Sequence, residues 1–66
     1  MVTIKAVTVH NDTIEWNYDN PQQCARFWKE LCATGRAPDA GNVLIRAYYF
    51  GPKIKPGDGP DKTWMS

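Results

Sequence analysis

The segment Asn20 to Gly35, NPQQCARFWKELCATG, constrains the fold more than any other stretch, because its signals agree on one amphipathic helix. Asn20 is a good N-cap, and Pro21 takes the first helical position, where its missing N–H costs nothing. Gln23 stands where a capping box places an amide. At about 100° per residue, Cys24, Phe27, Trp28, Leu31 and Cys32 share an arc of roughly 140°, with Arg26, Lys29 and Glu30 opposite. Gly35 then supplies a left-handed C-terminal residue, and Pro38 prevents an early restart. The helix therefore has one buried face, and the rest of the chain must cover it.

A chain of 66 residues is one domain. At this size folding buries only about 60% of the surface an unfolded chain exposes, so each large apolar side chain counts. Three tryptophans, three tyrosines and two phenylalanines make a small core feasible. No apolar run approaches the roughly 20 residues of a membrane span, and MVTIKAVTVH lacks a signal-peptide succession, which predicts a cytoplasmic protein with no membrane partner. Cys24 and Cys32 are separated by about 12 Å of helix, too far for a disulfide with each other. They read as small apolar residues of the buried stripe.

Upstream of the helix, Val2 to His10 and Thr13 to Tyr18 alternate around Asn11-Asp12, the pattern of a β-hairpin. With Asn11 and Asp12 as a two-residue turn, Val9 opposes Ile14, Val7 opposes Trp16 and Lys5 opposes Tyr18. This register turns Val7, Val9, Ile14 and Trp16 toward the helix, with Tyr18 at the margin. It leaves Ile4, Ala6, Thr8, Glu15, Asn17 and Asp19 on the other face.

Downstream, RAPDAGN reads as a loop, and Val43 to Phe50 as a third strand. Keeping Arg46 out of the core places Val43, Ile45, Ala47 and Tyr49 on the helix side. Leu44, Arg46, Tyr48 and Phe50 then form an apolar and aromatic patch on the outer face. The remainder, GPKIKPGDGPDKTWMS, is dense in proline and glycine and reads as an extended tail. Its Trp64 is expected to dock back over the sheet. The predicted fold is α+β: a ββαβ domain over residues 1–50 and a tail over 51–66. The sheet is three-stranded and mainly antiparallel, in the order 2-1-3, with one helix packed on one face.

No convergent catalytic set is visible. His10, the one histidine, falls at a hairpin tip, and the cysteines fall on a buried face. Glu15 with Asp19, and Asp58 with Asp61, have no reason for shifted ionisation. Cys24, Cys32 and His10 match no zinc-ligand spacing, and PGDGPD lacks both a phosphate loop's lysine and a calcium loop's spaced ligands. The chain is expected to be neither an enzyme nor a metal or cofactor protein.

The functional expectation rests on the outer patch and the tail. Leu44, Arg46, Tyr48, Phe50, Lys53, Lys55 and Trp64 are the candidate binding residues. A protein partner is the leading reading: a small interaction module that modulates or inhibits a larger protein, of the accessory kind found in phage or mobile elements, or a homodimer. Single-stranded nucleic acid is the alternative, since cations interleave with aromatics on one strand. The net charge of +1 and the acids Glu15, Asp19, Asp58 and Asp61 weigh against it.

Overall fold

The computed structural model describes residues 2–51 and 59–66. Along the chain it places β1 (Val2–Thr8), β2 (Thr13–Tyr18), α1 (Pro21–Thr34), β3 (Leu44–Phe50) and β4 (Lys62–Met65). The strands form one sheet in the order β2-β1-β3-β4, with every pair antiparallel. The α+β class, the single helix and the central β1 are as the sequence implies. The addition is β4, which lies in the segment expected to be only a tail.

Helix α1 follows its sequence signals closely. The Asn20 side chain accepts a hydrogen bond from the Gln22 N–H at 2.8 Å, and Gly35, at φ 70°, sends its N–H to the Leu31 carbonyl. Cys24, Trp28 and Leu31 are buried, with Phe27 and Cys32 half-buried beside them. The aromatic residues of the sheet meet this stripe. Phe27 lies 4.7 Å from Trp16 and 5.6 Å from Tyr18, and Trp28 meets Tyr49 edge-on at 5.7 Å.

The hairpin differs from the expected register. Ala6, rather than Val9, opposes Ile14, and Ile4, rather than Val7, opposes Trp16. The shift along β1 is an odd number of residues, so it exchanges the two faces of that strand. Val2, Ile4, Ala6 and Thr8 point to the helix and are all nearly inaccessible, while Lys5 and Val7 point outward and Val9 is 51% exposed. The cause is the connection. Val9–Asp12 forms a four-residue loop in which the Thr8 N–H donates to the Asp12 carbonyl and the Asn11 N–H to the Thr8 carbonyl. Thr8 Oγ1 accepts from the N–H groups of His10 and Asp12, and Asn11 takes the positive φ of 67°. This parity also spares the core a lysine.

A second correction concerns β3. Its pairing with β1 slips by one residue between Val7 and Thr8, so that Arg46 opposes Val7 but Leu44 opposes Thr8. Ile45 is the extra residue of this bulge. Leu44 therefore turns inward, where it is 1% exposed, and Val43, placed inside by simple alternation, is 41% exposed. The larger leucine fills the core in place of the valine.

The last strand closes the helix side. Trp64 opposes Ala47 and packs against Gly35, where any Cβ would sit 3.4 Å from the indole ring. It extends the core instead of covering the outer face. At the other end of β4, the Asp61 N–H donates to the Tyr49 carbonyl, and the Asp61 carboxylate accepts from the Gly51 N–H at 3.0 Å. Gly51 is buried, and a Cβ there would collide with that carboxylate.

Two outcomes follow from this packing. Trp28→Ala should cost about 3 to 5 kcal/mol in denaturant unfolding, because it removes the aromatic body between helix and sheet. Gly51→Ala should push the Asp61 carboxylate off the Gly51 N–H and loosen β4 ahead of β1–β3, read as a selective decrease in amide-exchange protection at Lys62–Met65; unchanged protection there would contradict this account of the clip.

Candidate binding surface on the open sheet face

With α1 on one side, the other side of the sheet is covered by no helix or strand among the described residues. The pairing registers fix what it displays. One row runs Thr13, Val7, Arg46, Met65 from β2 to β4, the next Glu15, Lys5, Tyr48, Thr63, and the third Asn17, Thr3, Phe50. Tyr48 and Phe50 are half-buried, Lys5 and Arg46 are exposed, and Met65 is 71% exposed. Two rings on the inner strand β3 are thus flanked by one cation on β3 and one on β1.

The polar groups are partly wired together. Lys5 Nζ lies 3.7 Å from Glu15 Oε1 and 5.6 Å from the centre of the Phe50 ring. Asn17 Nδ2 donates to Glu15 Oε2 at 3.2 Å, and Thr3 Oγ1 donates to Asn17 Oδ1 at 2.8 Å. Arg46 has no ion pair among the described residues.

Of the residues singled out from sequence, Arg46, Tyr48 and Phe50 lie together on this face. Leu44 and Trp64 do not: the bulge takes the first into the core, and pairing with β3 takes the second to the helix side. Lys53 and Lys55 lie outside the described residues. Lys5, Val7, Thr63 and Met65 belong to the face and were missed. The parity of β1 hid the first two. A short Lys-Thr-Trp-Met strand after a Pro/Gly-rich run hid the others, because its two polar residues followed by two apolar ones carry no alternation to mark a strand.

The remaining reactive groups are arranged for packing. Burial raises the pKa of the Cys24 thiol, and burial outweighs the lowering effect of nearby Lys62 in raising that of Cys32. Burial also raises the pKa values of Tyr18 and Tyr49. His10 is exposed in the Val9–Asp12 loop, distant in sequence position from the helical thiols. Among the described residues, no three His, Cys, Asp or Glu side chains gather as a metal site requires.

Because both thiols are held protonated above the ordinary range, alkylation of the native protein near neutral pH should be much slower than that of the denatured chain, and should accelerate only at alkaline pH. Mass spectrometry after a timed iodoacetamide pulse checks this; rapid labelling of Cys24 in the folded protein would contradict its burial.

No protein family, characterised protein or solved structure matches this chain.

Proposed function

We propose that this chain is a small non-enzymatic binding module that holds single-stranded nucleic acid on the open face of its sheet. The observation that carries the reading is the placement of Tyr48 and Phe50 two residues apart on β3, with Arg46 and Lys5 beside them, on a surface that no helix or strand among the described residues covers. On this reading each ring stacks one base, in any sequence, with the Lys5 ammonium moving off the Phe50 ring, and each cation meets the backbone. Two apolar members of the expected protein-docking patch, Leu44 and Trp64, are withdrawn to the helix side, which raises the cationic share of what remains. Glu15, the acid in these rows, is paired with Lys5, which leaves Arg46 as the cation of this face without an ion pair among the described residues.

A protein partner is the second reading, favoured by one observation. The exposed large apolar residues Val9, Val43 and Met65 lie toward one end of the sheet, with Arg46 opposite Met65. Methionine, aromatic residues and arginine are the types enriched at protein interfaces. On this reading the chain modulates a larger protein, as an accessory factor would, or pairs with a second copy of itself.

Fluorescence anisotropy with a short labelled oligothymidylate or oligouridylate separates the readings. The first expects binding at low salt that weakens as salt rises. Tyr48→Ala or Phe50→Ala should each cost about 1 to 3 kcal/mol. Arg46→Ala should lower the slope of log affinity against log salt by roughly 0.7. No binding to either oligonucleotide at low salt removes the nucleic-acid reading. A specific protein contact that Met65→Glu abolishes, with little salt dependence, would support the second.

A further inference from the structure

Resting on the reading of this face as a nucleic-acid platform, we infer that Glu15 is a built-in competitor for the phosphate: it occupies Lys5 in the free protein and yields it when a strand binds. Glu15 and Lys5 stand side by side in the row that continues to Tyr48. One carboxylate oxygen accepts from Asn17 Nδ2, itself positioned by Thr3 Oγ1, and the other oxygen faces Lys5 Nζ at 3.7 Å. The carboxylate is therefore oriented by its neighbours as well as attracted by the lysine.

The pair is built to open. A separation of 3.7 Å exceeds the roughly 2.7–2.9 Å of a close charge-assisted hydrogen bond, and both side chains are 48% exposed. Exposed pairs of this kind are weak and screened by salt. Lys5 Nζ also stands over the Phe50 ring, so a small swing carries the ammonium from the carboxylate toward whatever lies on that ring. A phosphate arriving beside a base stacked on Phe50 would replace Glu15 as its counter-ion. Until then Glu15 both neutralises Lys5 and repels the incoming backbone. It thereby lowers the affinity for every strand by a similar factor.

The test compares Glu15→Gln with the parent protein against labelled oligothymidylate across a salt series. Glutamine keeps the length and the acceptor for Asn17 while removing the charge. The expected result is binding tighter by about threefold to tenfold at low salt, with a steeper salt dependence. Glu30→Gln, the same charge change on the exposed side of α1, should leave binding nearly unchanged. In a Lys5→Ala background the gain from Glu15→Gln should shrink, since the competition acts through Lys5. If the parent protein binds no oligonucleotide, the underlying reading of the face fails. If the parent binds and Glu15→Gln is equal or weaker, or if the gain persists undiminished without Lys5, the competitor role is overturned while the platform stands.

Discussion

The hydroxyl of Thr8 sets the structure around it. By accepting from the N–H groups of His10 and Asp12, it closes the Val9–Asp12 loop into a connection whose length gives β1 its observed parity. Because side chains alternate along a strand, that choice decides every residue of β1 at once. Ile4 and Val2 enter the core beneath the helix, and Lys5 is delivered to the open face. Strand β1 is hydrogen-bonded on both edges, so the same parity propagates into β2 and β3 and determines what the sheet displays on the side away from the helix.

This explains what was readable from the residues. The helix was legible end to end, because its cap, its proline, its apolar period and its closing glycine are local signals that agree. The parity of β1 was not, because β-branched residues occupy both alternations of Val2 to Val9 and make the two faces look alike. The fuller clue was Lys5, whose charge could not sit comfortably on a buried side. The bulge at Ile45 leaves no distinctive residue type, and it becomes visible only when Thr8 and Leu44 are seen to need each other as inward neighbours.

The candidate face was half legible for the same reasons. Arg46, Tyr48 and Phe50 follow from one decision, that arginine faces out, and alternation then carries the assignment along β3 beyond the bulge. Leu44 lies before the bulge, where that logic fails. Trp64 was recognised as too large to be left in solvent, but its destination depended on β4 pairing with β3, a contact between distant parts of the sequence. Lys5 and Met65 reach the face through such pairings as well. Strand by strand, this candidate surface is less local in sequence than the core.

Gly35 joins two ends of the architecture that have no sequence reason to be linked. It terminates α1 in a left-handed conformation, and its bare Cα is the floor on which the Trp64 ring lies. A single hydrogen atom in place of a side chain thus satisfies a demand of the helix and a demand of the last strand together. An L-residue there would be strained in backbone torsion, while its Cβ would still meet the indole at ordinary contact distance, 3.4 Å. Substitution at this position therefore strains the stop of the helix first, and it crowds the last strand only with side chains longer than a methyl.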